Sequence, residues 1–133
     1  MKILFIDDDK APIRYYLEEL KDAGFDVTHC RNPDEALDAL EEEGCVFGLI
    51  ILDSAMPPGK RYADSNTEEG LTTGNFLFRD IRERCPDTPI LILTNFAGLD
   101  WIRKASECSN VCEVRKLDVM PFELVERVRQ MIK

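Results

Sequence analysis

Phe47-Gly48-Leu49-Ile50-Ile51-Leu52-Asp53 is the stretch that decides the fold. Its apolar residues run on without alternating with polar ones, so the strand it predicts must be covered on both faces, as in a parallel sheet layered between helices. It stops at a carboxylate. Four further short apolar runs, at residues 2–6, 25–30, 90–93 and 111–115, read as strands of the same kind. Between them lie stretches of helical period, each with its own punctuation. A helix is predicted from Lys10 to Ala23, with Pro12 in its first turn, Ile13, Tyr16, Leu17 and Leu20 on one face, and Gly24 as its stop. Asn32-Pro33 caps and opens a second helix to Glu43, with Ala36, Leu37 and Leu40 inward and Gly44 at its end. Helices are also predicted over residues 74–84, 99–107 and 121–132, whereas 54–73 shows no period and reads as a long loop. Five strands alternating with five helices predict an α/β fold: one domain over residues 1–133, a doubly wound parallel sheet with helices on both faces.

The charge balance narrows the function classes. With 26 acidic against 17 basic side chains, the net charge is −9, a field that repels nucleic-acid phosphates and anionic lipid. No direct nucleic-acid or membrane partner is expected. The longest apolar runs fall far short of the ~18 residues of a membrane span, and Asp7-Asp8-Asp9 interrupts the apolar start, so a cytoplasmic location is expected. Cys30, Cys45, Cys85, Cys108 and Cys112 are odd in number and contain no Cys-x-x-Cys, which predicts reduced thiols rather than disulfides. Cys108 and Cys112 lack the further thiols or His that a zinc site needs.

In an open α/β sheet the working groups gather beyond the carboxyl ends of the strands. Here those ends carry Asp7-Asp8-Asp9, Asp53, Thr94 and Lys116. Asp9 reads as the cap of the first helix. Carboxylates crowded at ~5 Å repel by about 3 kcal/mol per pair at an effective dielectric of ~20, so they call for a neutralising cation. A hard divalent ion suits them, and Mg2+ fits a site of two or three carboxylates that leaves positions to water and phosphate oxygens.

Together, Ile3-Leu4-Phe5-Ile6-Asp7-Asp8, Leu49-Ile50-Ile51-Leu52-Asp53 followed by Met56-Pro57, Leu91-Ile92-Leu93-Thr94, and Lys116 resemble the receiver domain of bacterial two-component response regulators. The resemblance covers the whole chain and implies a five-stranded parallel sheet of order 2-1-3-4-5. It implies Asp53 as phosphoacceptor, with Thr94 and Lys116 completing the catalytic set. Asp7, Asp8, Asp53 and the backbone carbonyl of Ala55 would be the Mg2+ ligands. It further implies a histidine kinase or histidine phosphotransfer protein as donor, a phosphoacceptor rather than a turnover enzyme, and a switch in which Thr94 donates its hydroxyl to the new phosphoryl oxygen. As the chain ends after the fifth helix, no output domain is expected, and output is expected to act through a downstream protein target.

The chain departs from the family in four places. Leu117 to Met120 separate Lys116 from Pro121, so the family's cis Lys-Pro peptide is not expected; Glu113 stands where the family has its switch aromatic, leaving Phe96 or Trp101 as substitutes. Asn95 follows Thr94 in place of a small residue, and residues 57–73 exceed the family's connection, reading as a flap that controls partner or access. Two rival readings follow. One is a receiver-like scaffold that binds partners without phosphorylation. The other is a phosphatase resembling the haloacid dehalogenase family, with Asp7 and Asp9 as its working pair.

Overall fold

In the computed structural model, which describes residues 1–9, 13–96 and 98–132, the apolar runs pair side by side into one all-parallel sheet. The strands are β1 (Lys2–Ile6), β2 (Asp26–Cys30), β3 (Leu49–Leu52), β4 (Ile90–Thr94) and β5 (Val111–Arg115), in the order β2-β1-β3-β4-β5. This is the doubly wound order that the resemblance implies. β1 sits between β2 and β3, with Ile3 opposite both Val27 and Leu49, and Ile6 opposite both Cys30 and Leu52. That register brings the ends of β1 and β3 level, so the residues that follow them, Asp7 and Asp53, emerge side by side.

The period-two geometry of a strand splits each apolar run between two cores. Ile3, Phe5, Leu49, Ile51, Leu91 and Leu93 pack on one face against α1 (Arg14–Asp22) and α5 (Pro121–Met131). Leu4, Ile6, Ile50, Leu52, Ile90 and Ile92 face α2 (Pro33–Glu43), α3 (Thr73–Arg84) and α4 (Asp100–Ala105). Each such side chain contributes roughly 1.5–3 kcal/mol by leaving water, which is why central strands without a polar residue form only when covered on both sides. Among the described residues no helix is long and apolar enough to cross a membrane.

Local signals account for the helix ends. Asn32 Oδ1 accepts the Glu35 N–H at 2.9 Å and caps α2, with Pro33 at the first helical position. Glu123 Oε1 accepts the Met120 N–H at 3.0 Å at the start of α5. The first helix differs from expectation: α1 begins at Arg14 with Ile13 in the N-cap position, so Asp9 is not its cap. Lys10 and Pro12, expected in its first turn, lie outside the described residues.

The cysteine reading is corrected. Cys45 and Cys85 form a disulfide, with Cα atoms 5.7 Å apart, leaving Cys30, Cys108 and Cys112 free. The two residues are 40 positions apart, and only the packing of the α2–β3 connection against the end of α3 brings them together. Cysteine counting carries no such proximity.

Residues 54–72 form the long connection, and it is fastened at several points. Asp34 at the start of α2 accepts the N–H groups of Lys60 and Arg61 at 2.8 and 2.9 Å. Tyr62 is buried, packs on Phe76 and donates its hydroxyl to Asp80 of α3. Thr67 is buried as well, and Gly70 O accepts the Met56 N–H at 3.1 Å. A side chain at Gly70, whose φ is +92°, would place its Cβ 2.8 Å from Met56 O. The segment has no period because turns and anchor residues, rather than one repeating face, hold it in place.

Candidate functional site

Asp7, Asp8 and Asp53 each offer a carboxylate oxygen within 4.8 Å of the others. Asp7 and Asp53 are buried because they follow central strands, while Asp8 points to solvent. Lys116, directly after β5, is buried too and reaches across: its Nζ lies 2.7 Å from Asp7 Oδ2, 3.5 Å from Asp53 Oδ2 and 3.9 Å from Asp9 Oδ2. One ammonium thus faces several carboxylates. Burial pushes the Asp53 carboxyl up to about 7, with Asp7 adding to the rise and Lys116 opposing it. Asp8, although exposed, is raised as well, first by the partial desolvation of its carboxyl beside the pocket and then by Asp7. Burial works against the Lys116 charge, but Asp53 and Asp7 outweigh it, and its pKa is raised.

The donor set fits a small hard cation. All available ligand atoms are oxygens, and the cluster carries more negative charge than Lys116 can balance; Asp7 Oδ1 accepts the Asp9 N–H at 2.9 Å, and Asp7 Oδ2 is an ion-pair neighbour of Lys116 with no hydrogen bond of its own. Ala55 sits beside the cluster, its N–H 3.5 Å from Asp53 Oδ1. An open cleft of about 550 Å3 next to the cluster is lined by Asp8, Ala55, Met56, Pro58, Glu69 and Phe96.

Thr94 is fully buried at the end of β4 and meets Ser54, the residue that follows Asp53. Its Oγ1 accepts the Phe96 N–H at 3.0 Å and lies 3.3 Å from Phe96 O and 2.5 Å from Ser54 Oγ. Of the other residues expected near a switch, Phe96 reaches this group, through its N–H to Thr94 and as part of the cleft lining. Glu113, Asn95 and Phe96 are exposed, and Trp101 packs against Phe78 with ring centroids 6.1 Å apart.

Sequence reading passed over four residues that shape the site. Ser54 is fully buried against Thr94. His29 Nε2 lies 2.8 Å from the Asp7 carbonyl oxygen, and because a carbonyl only accepts, this nitrogen carries the proton. Tyr16 Oη is 2.9 Å from the carbonyl oxygens of both Lys116 and Val119, tying α1 to the 3-10 turn Lys116–Asp118. The sequence marks Tyr16 only as an inward position, although a tyrosine there needs a partner for its hydroxyl.

Gly74 is the fourth. Its N–H donates to Ser54 O at 3.0 Å, and an added Cβ would stand 2.7 Å from the carbonyl oxygens of both Asp53 and Ser54. Helix α3 can close on the end of β3 only without a side chain there. Gly74→Ala is expected to destabilise the protein by about 1–3 kcal/mol despite the better helix propensity of Ala, because the opposing atoms are backbone. Urea unfolding checks this; an unchanged or increased stability contradicts the close approach.

Comparison with known proteins bears on the family and the fold. The chain is 32% identical over 98 residues to the response regulator receiver protein CpdR of Brucella abortus (strain 2308), covering 74% of this chain and 69% of that protein. Its fold matches the chemotaxis protein CheY4 of Vibrio cholerae, with a TM-score of 0.75 at 23% identity over 98% of this chain and 97% of the other. It also matches a CheY-like response regulator receiver domain protein from Methanospirillum hungatei JF-1, with a TM-score of 0.77 at 21% identity over 98% and 92%. The response regulator receiver domain model matches residues 3–129, and with this sheet order and acidic cluster the chain belongs to the receiver domain family of two-component response regulators.

Proposed function

We propose that this receiver domain, a single unit over residues 1–133, takes a phosphoryl group onto Asp53 and relays it through Thr94. The observation that carries the reading is the buried Asp53 carboxylate, 3.5 Å from Lys116 Nζ and within 4.8 Å of Asp7 and Asp8, beside an open cleft. Asp7, Asp8, Asp53 and the Ala55 carbonyl would hold Mg2+, which when bound supplies positive charge against phosphoryl oxygens.

The chain's own residues do the rest. An Asp53 carboxylate oxygen attacks phosphorus, a P–O bond forms, and the bond from phosphorus to the donor breaks with its electrons leaving on the donor. Lys116 faces the developing charge, already desolvated and needing no reorganisation. Thr94 then turns its hydroxyl toward the new phosphoryl oxygen, changing the β4–α4 connection that a partner reads. Receiver domains of this kind take phosphoryl groups from histidine kinases; the donor here is a histidine kinase or histidine phosphotransfer protein, and the output a downstream protein target.

Mg2+-dependent labelling with acetyl phosphate, located by peptide mass, tests the reading. Label on Asp53 supports it; label on Asp7 turns it into a dehalogenase-like phosphatase, and no label leaves a phosphorylation-independent scaffold. The cation is checked separately. Millimolar Mg2+ is expected to raise the melting temperature by roughly 4–8 °C, corresponding to about 1–2 kcal/mol of native-state binding. Asp8→Asn is expected to remove that gain and to stabilise the metal-free protein by relieving repulsion. Equal Mg2+ responses in the two proteins refute the site.

A further inference from the structure

Thr94 and Ser54 share a hydrogen bond that the phosphoacceptor chemistry does not use. Both residues are fully buried, and their hydroxyl oxygens are 2.5 Å apart. Ser54 directly follows Asp53, and its carbonyl is pinned by the Gly74 N–H at 3.0 Å, so its side chain is held in place by backbone.

A hydroxyl has one proton and two lone pairs. Thr94 Oγ1 accepts from the Phe96 N–H and, with its own proton directed at Phe96 O, has one lone pair left for the Ser54 hydroxyl. In that arrangement Thr94 is saturated. Ser54 Oγ, for its part, has no other hydrogen-bond partner among the described residues. Turning Thr94 toward a phosphoryl oxygen therefore strands a buried hydroxyl that no water reaches, and an unpaired buried donor opposes the turn. That cost is specific to a small polar residue at position 54; an apolar side chain there would lose nothing when Thr94 leaves.

We propose that Ser54 is a positioning residue that latches the Thr94 hydroxyl in its resting orientation and so sets the threshold at which phosphorylation switches the domain. The proposal rests on the reading of Asp53 and Thr94 given above. It makes the residue after the phosphoacceptor a determinant of how much of the phosphorylated population is switched, with Asp53 itself still able to accept the phosphoryl group.

The test titrates beryllofluoride with Mg2+ into wild type, Ser54→Ala, Thr94→Ala and the double variant, read by amide chemical shifts and Trp101 fluorescence. Ser54→Ala is expected to lower the half-saturating concentration about tenfold, equivalent to ~1.4 kcal/mol. Acetyl phosphate labelling should reach the same end point as wild type. Ser54→Cys, a weak donor of similar size, should fall between the two and serves as a second variant if the alanine folds poorly. In the Thr94→Ala background the Ser54 substitution should have no effect. Without beryllofluoride, a loosened Thr94 should speed amide exchange at Phe96 about tenfold in Ser54→Ala. An unchanged or raised half-saturating concentration overturns the latch, as does an equal shift in the Thr94→Ala background. If wild type binds no beryllofluoride, the phosphoacceptor reading fails, and the latch is then decided by Phe96 exchange alone: acceleration supports it, no change overturns it.

Discussion

Lys116→Met is expected to destabilise the metal-free protein by about 3–5 kcal/mol, the cost of leaving buried carboxylates without their cation. Asp7 is fully buried with one oxygen 2.7 Å from Lys116 Nζ, and Asp53 is nearly so with Nζ at 3.5 Å. Methionine keeps most of the side-chain volume, so the loss reports charge rather than a cavity. Urea unfolding in EDTA at pH 8 measures it. Acidification to pH 5 should return part of the loss, because Asp53, already raised to about 7 by burial and by Asp7, then takes up a proton. A loss below about 1 kcal/mol would mean that the ion pair contributes no more than an exposed one.

Asp53→Asn is expected to abolish acetyl phosphate labelling and to make the metal-free protein more stable than wild type at neutral pH and above. The second effect follows from the sign of the shift. In the folded state Asp53 titrates near 7, above the ordinary carboxylate range of the unfolded chain, so the native state holds a proton that the unfolded state has released. The contribution of this group is fully present below the unfolded pKa and is lost as pH rises through about 7, with a slope of up to ~1.4 kcal/mol per pH unit. Asparagine has no charge to bury and removes that decline. Urea denaturation from pH 4 to 8 in EDTA, on both proteins, should show the wild-type curve falling below that of the variant. Full labelling of Asp53→Asn, or identical pH dependence in the two proteins, contradicts the role given to Asp53.

Much of the site was legible because strand ends are legible. Asp7, Asp53, Thr94 and Lys116 each stand at the boundary of an apolar run, and a parallel sheet carries such boundaries to one edge. The residues around them were not, because they act through distances that have no sequence pattern. Ser54 and Gly74 are 20 positions apart and meet backbone to backbone. Tyr16 reads as one more inward helix residue until its hydroxyl is found 2.9 Å from the Lys116 carbonyl, 100 positions away.

The sequence by itself determined the α/β class, nearly all the elements, the two-sided burial of the central strands β1, β3 and β4, and the set of polar residues at the sheet's carboxyl edge. All of these follow from local periodicity and from turn and cap chemistry within a few residues. Only the tertiary structure decided that Cys45 and Cys85 join, that Asp9 is not the cap of α1, and that residues 54–72 are fastened to α2 and α3 through Asp34 and Asp80. It also decided how charge is shared in the pocket, with Lys116 closest to Asp7, Asp53 raised by burial and Thr94 paired with Ser54. Those outcomes depend on long-range packing, where positions tens of residues apart are brought within a few ångströms and the local dielectric is set by what covers them.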